Sequence, residues 1–103
     1  MIHTRVTTRL FALLVAVFVV GCATSPPVQE MSDARQAIAA AEDADAARLA
    51  PAPLDDARRF LSQAETQIRE RSFTMARSNA IRAKNSAVDA LQASQEASRS
   101  ADN

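Results

Sequence analysis

Phe73-Thr74-Met75-Ala76-Arg77-Ser78-Asn79-Ala80-Ile81-Arg82-Ala83-Lys84-Asn85-Ser86-Ala87-Val88-Asp89-Ala90-Leu91 carries the longest regular pattern of small apolar residues in the chain. Phe73, Ala76, Ala80, Ala83, Ala87 and Ala90 recur three and four residues apart, so they share one helical face built almost wholly of methyl groups. Ile81, Val88 and Leu91 form an adjacent stripe. Ser72 is suited to cap this helix, which is predicted to run to about Arg99. Such a face carries little volume. A buried methyl contributes roughly 0.8 kcal/mol against about 1.5 to 3 for a whole Leu or Phe. The face therefore stabilises a fold only if other helices approach to the low end of about 8 to 10 Å axis separation.

Two further helices are predicted upstream. Leu54, Ala57, Leu61, Ala64 and Ile68 keep the same spacing, and Phe60 widens their stripe. Pro53 suits the first helical position, which places Asp55 and Asp56 in the first turn beside the positive end of the dipole. Asp55 with Arg59, and Glu65 with Arg69, are spaced as i,i+4 pairs. A break near Arg71 and Ser72 lacks a Gly or Pro to mark it, so one helix from Pro53 to Arg99 is the competing arrangement. From Val28 to Leu49 the stripe is Met31, Ala34, Ile38 and Ala41. Asp45 and Arg48 lie on or beside it, which predicts a wetter, frayed last turn before Pro51 and Pro53 end the helix. The expected fold is all-α: a small antiparallel three-helix bundle over residues 28–99, made of a helical hairpin and an N-terminal helix, with 100–103 a disordered tail.

Ahead of this domain, Arg5 and Arg9 precede eleven apolar residues from Leu10 to Val20, the order of a bacterial signal peptide. The run is short of the roughly 20 apolar residues a spanning helix needs. Val19-Val20-Gly21-Cys22 resembles the lipobox of bacterial lipoproteins. That resemblance implies cleavage after residue 21, with Val19, Val20 and Gly21 read by the signal peptidase, and lipid on the Cys22 thiol and amino group. Two or three chains anchor stably where one does not. Ala23 in place of Asp implies, by the same resemblance, transfer to the outer membrane. Residues 22–27, with Pro26 and Pro27, read as a short tether reaching under roughly 20 Å at about 3.3 Å per residue.

Composition limits the chemistry. Hydrophobic residues make up 48% of the chain, but most beyond Cys22 are alanine, so a shallow core is expected, with a homo-oligomer as one way to extend it. His3 is the only histidine and Cys22 the only cysteine. Once the leader is removed and Cys22 lipidated, neither imidazole nor thiol is left for zinc, nucleophilic or triad chemistry. Gly21, the only glycine, leaves with the leader, and glycine-rich phosphate loops with it. Glu42, Asp43 and Asp45, and Asp55 with Asp56, are acidic clusters, but adjacent helical positions diverge by about 100°, and calcium wants more oxygen ligands on a flexible loop. A non-catalytic chain without metal or cofactor is expected. Export and the lack of an aromatic stacking platform argue against nucleic acid as a partner.

Charge is divided along the chain. Residues 22–57 hold seven acids against Arg35 and Arg48, whereas 58–84 hold seven bases against Glu65 and Glu70. Attraction between the first helix and the other two is one reading. The other lets Arg69, Arg71, Arg77, Arg82 and Lys84 meet an anionic partner, a lipid headgroup, a lipopolysaccharide phosphate or an acidic envelope protein.

Two resemblances extend these readings. Phe60, Ala64, Ala76, Ala80 and Ala83, with Phe73, resemble the small and aromatic positions of a single tetratricopeptide hairpin. The chain departs from that repeat at Gln67 and Ala80, where aromatics are usual, and at Val88, where proline is usual. It implies close antiparallel packing, since one repeat cannot build a peptide-binding superhelix. The lipobox, Ala34-Arg35-Gln36-Ala37-Ile38, Ala41-Glu42, Ala52-Pro53, Leu54, Ala57-Arg58 and Leu61 together resemble a family of small alanine-rich bacterial envelope proteins with a helical domain of unknown function. Its members occur alone as lipoproteins or ahead of an OmpA-like domain. The resemblance implies no catalytic residues to carry over, and with the lipobox the expected role is a lipid-anchored, periplasm-facing module of the outer membrane that acts by interaction or as structure. An alanine-faced oligomer serving as an envelope spacer, and an accessory subunit binding peptidoglycan or lipopolysaccharide, are the alternatives.

Overall fold

The computed structural model describes residues 25–103. The expected leader and lipobox, with Val19, Val20, Gly21 and Cys22, lie outside the described residues. Four helices follow: α1 (Val28–Asp43), α2 (Ala46–Leu49), α3 (Pro51–Arg69) and α4 (Phe73–Asp102). Among the described residues there is no strand. None of these helices is long and apolar enough to cross a membrane.

The alanine stripe of α4 is the seam against which α1 and α3 pack. Ala76, Ala80, Ala83, Ala87 and Ala90 are fully buried, and Ser94 continues their spacing into the core. Met31 meets Ala64 and Ala80 near one end of the bundle, while Ile38 and Ala41 meet Leu54, Ala57, Ala87 and Ala90 near the other. It follows that α3 runs antiparallel to both partners and that α1 lies parallel to α4. Eleven of the fourteen buried apolar residues are alanine, and Leu54, Met31 and Ile38 supply most of the remaining volume. The shallow, closely approached core predicted from composition is therefore present. Ser94 is satisfied locally, its Oγ donating to the carbonyl of Ala90 at 2.8 Å.

Helix ends differ from the sequence expectations in four places. The first helix does not fray over its last turn but breaks: α1 ends at Asp43, Asp45 adopts a left-handed φ of 64°, and the chain restarts as the one-turn α2. Asp45 serves both pieces, since its amide donates to the carbonyl of Glu42 at 3.0 Å and its own carbonyl accepts from Leu49 at 3.0 Å. Ala46 is thereby buried completely. The next helix starts at Pro51 rather than Pro53, so both prolines fall within the first three positions, where amides lack intrahelical acceptors anyway. Its first bond from residue 54 reaches the carbonyl of Ala50 at 3.4 Å. This puts Asp55 and Asp56 past the first turn instead of within it.

The break between α3 and α4 is real despite the absence of Gly or Pro. Arg71 takes a left-handed φ of 61°, the Ser72 amide donates to Gln67 at 2.8 Å and the Arg71 amide to Ile68 at 3.0 Å. Those two bonds make a Schellman motif with arginine where glycine is usual. Ser72 stands at the cap of α4 as expected, but its side chain makes no capping bond. The last helix continues to Asp102, so the expected tail over 100–103 is helical for all but its final residue. Of the tether, Ser25 and Pro26 are exposed and Pro27 is buried at the start of α1.

Candidate functional site

The basic residues singled out by sequence sit at and beside the α3–α4 turn, and the fold gives them different tasks. Arg77, half-buried on the edge of α4 that faces α1, donates from Nε to Glu30 Oε1 at 3.2 Å and from Nη2 to the carbonyl of Ser25 at 3.3 Å. It belongs to the intramolecular reading. Its pair with Glu30 ties α1 to α4, and two others tie α1 to α3: Arg35 with Glu65 at 3.7 Å and Arg58 with Glu42 at 3.3 Å. Part of the charge division is thus spent inside the molecule.

Arg69, Arg71, Arg82 and Lys84 are exposed, and among the described residues none of them has a carboxylate within ion-pair distance. Arg69 donates from Nη2 to Thr66 Oγ1 at 3.0 Å. Arg82 extends over Phe60, its guanidinium carbon 6.0 Å from the ring centroid, and Arg59 approaches the same ring at 5.1 Å. An aromatic face attracts such cations. The expected i,i+4 pairs do not form. Arg59 binds Asp56 at 3.0 Å, and Glu65 is taken by Arg35.

Four of the five acids in the two clusters are engaged by arginines. Glu42 and Asp55 share Arg58, Asp45 holds Arg48 at 2.7 Å and Asp56 holds Arg59. Among the described residues no group of three or more His, Cys, Asp or Glu is placed to hold a metal. An open recess of about 440 Å³ lies where the α1–α2 break meets α4, lined by Ala44, Gln95, Ser98 and Arg99. It brings no second titratable group to Arg99.

Several contributors escaped the sequence reading. The Phe60 contact joins residues 22 positions apart and leaves no local signal. Asn79, which donates from Nδ2 to Gln67 Oε1 at 2.9 Å across the hairpin, was readable only as a pair of polar positions near the stripes. That bond occupies a position where the tetratricopeptide repeat has an aromatic. Ser94 was within reach, because it stands four residues after Ala90.

No curated protein and no solved structure matches the chain. A family model does, over residues 29–103, which takes in all of α2, α3 and α4 and nearly all of α1. The chain belongs to the family defined by the domain of unknown function DUF4398.

Proposed function

We propose that this chain is a non-catalytic lipoprotein of the bacterial outer membrane, an interaction module held close to the lipid surface by Cys22 and meeting an anionic partner through its hairpin. The lipobox and Ala23 support the anchor and its destination. The observation that carries the docking role is that Arg69, Arg71, Arg82 and Lys84 stay exposed without carboxylate partners while Arg77 and Arg58 are used internally. Mass spectrometry of the protein from membranes tests the anchor: an N-terminal peptide beginning at a lipid-bearing Cys22 is expected, and Cys22→Ala is expected to leave the membrane fraction. A peptide that begins elsewhere, or an unmodified Cys22, rejects it. For docking, Arg71→Glu with Arg82→Glu and Lys84→Glu is expected to keep the thermal midpoint and lose in-cell crosslinks. Unchanged crosslinks reject a protein as the partner of the basic surface.

One observation favours a second reading, the oligomeric spacer. The alternating three-four spacing from Ala76 to Ser94 continues through Ala97 and Ala101, half-buried and exposed respectively. Sedimentation showing a concentration-dependent oligomer that Ala97→Glu dissolves would select this reading over the monomeric module.

A further inference from the structure

The bundle is electrically lopsided along its axis. Met31, Ala64 and Ala80 mark one end, and Ile38, Leu54 and Ala90 mark the other. The half made of residues 25–36 and 62–84 carries six bases against four acids, and the half made of 37–61 and 85–103 carries four against eight. Ser25 is bonded into the basic half by Arg77. Cys22 is three residues upstream, within about 11 Å of chain at full extension. The end nearest the anchor is therefore the basic end.

Exposed apolar side chains follow the same division. Val28 at 71%, Met75 at 59% and Ile81 at 45% are the large hydrophobic residues left in solvent, and all three lie in the basic half. On α4, Met75 and Arg82 are seven residues apart along the edge beside α3, where Arg82 meets Phe60. Arg77, Ile81 and Lys84 line the edge beside α1. Between those edges stand Thr74, Ser78 and Asn85, all exposed. From Arg71 to Val88 there is no acidic residue at all. An outward helical face that mixes bases with apolar side chains and carries no carboxylate has the chemistry of an anionic lipid interface.

We propose that the exposed face of α4 from Phe73 to Val88, with the α3–α4 turn, lies on the anionic phospholipid headgroups of the membrane that holds Cys22. Met75 and Ile81 dip into the headgroup layer, and Arg71, Arg82 and Lys84 meet phosphates. The acidic half is turned toward the aqueous side. This inference rests on the lipid-anchor reading, and it makes the anionic partner the bilayer itself. The screening length near 8 Å at physiological salt makes contact of this kind depend on a short tether.

The test uses the full chain, processed in a bacterial host and reconstituted in vesicles of phosphatidylcholine with or without phosphatidylglycerol. Mass spectrometry first establishes the lipid on Cys22. Because no other cysteine exists, Ser78→Cys on the proposed face and Ala40→Cys on exposed α1 each accept one thiol-reactive fluorophore. With a quencher on the lipid headgroup, the label at 78 is expected to be quenched about threefold or more over that at 40 when phosphatidylglycerol is present, and to lose this excess without it. Each removed base is expected to weaken the contact about fivefold, so Arg71→Glu, Arg82→Glu and Lys84→Glu together abolish it. Met75→Ser with Ile81→Ser, which leaves every charge in place, is the second variant and is expected to reduce quenching as well. Equal quenching at the two positions, or excess quenching that ignores phosphatidylglycerol, overturns the inference while leaving the anchor standing. So does a label at 78 that stays unquenched while the charge reversals remove crosslinks to a protein. An unlipidated Cys22 overturns the anchor reading, and the inference with it.

Discussion

The two chain reversals solve the same problem with different means. At the α3–α4 turn, Arg71 in the left-handed region is held by both bonds of a Schellman motif, and the chain turns in three residues. At the opposite end Asp45 takes the same backbone region, but the chain needs a one-turn helix and Pro51 before it can run back. Beyond the tight turn Arg77 reaches Ser25 from the first turns of α4, and the slow reversal gathers Glu42, Asp45, Asp55 and Asp56 around Arg48, Arg58 and Arg59. Both reversals rest on backbone bonds, but only the slow one adds ion pairs to them, and one of these, Arg58 with Glu42, joins α3 to α1 across the break.

Burying a charge near each end should show how unequal the ends are. Ala80→Arg forces a guanidinium into the contact of α4 with Met31 and Ala64, where there is neither room nor a partner, and is expected to cost more than about 4 kcal/mol and abolish cooperative unfolding. Ala46→Arg displaces only the one-turn α2 and is expected to leave a folded hairpin with a lowered midpoint. Circular dichroism with thermal melts reads both. Equal losses would mean that the slow reversal is as integral to the core as the seam.

Relieving the left-handed positions is a gentler probe. Arg71→Gly is expected to raise stability by about 1 kcal/mol, because arginine pays the Cβ penalty that glycine does not. Asp45→Gly is expected to gain less, since aspartate tolerates this region better and the change also removes the 2.7 Å pair with Arg48. Chemical denaturation of both variants ranks them, and a larger gain at position 45 would place the greater backbone strain at the slow reversal.

Smallest of all are the exposed ion pairs. Arg77→Gln and Arg58→Gln are each expected to cost about 0.2 to 1 kcal/mol, with Arg77 at the upper end because it is less exposed and also ties down Ser25. The difference should shrink in high salt. Urea titrations at two salt concentrations decide it.

What the sequence made legible follows from how far each signal reaches. The buried faces Met31-Ala34-Ile38-Ala41 and Ala76-Ala80-Ala83-Ala87-Ala90 were readable because periodicity needs only neighbours within two turns. The helix start at Pro51 was missed because two prolines two residues apart both fit a first turn. Asp45 and Arg71 were hidden for a different reason. Their left-handed backbone falls at chain reversals with no glycine to announce it. Among the bases, composition alone could not separate Arg77 from Arg82, since the first finds Glu30 across the bundle and the second finds Phe60. Sorting them required knowing which edge of α4 faces which helix.

The methyl-lined seam also has a thermodynamic signature. With alanine at eleven of fourteen buried apolar positions, unfolding exposes little hydrocarbon for the length of helix that melts. Apolar exposure raises heat capacity by about 0.45 cal/mol/K per Å² and polar exposure lowers it by about 0.26. The heat-capacity increment should therefore fall below the usual 12 to 15 cal/mol/K per residue, giving a broad, shallow stability curve. A module so built would hold a modest but nearly constant margin across a wide span of temperatures.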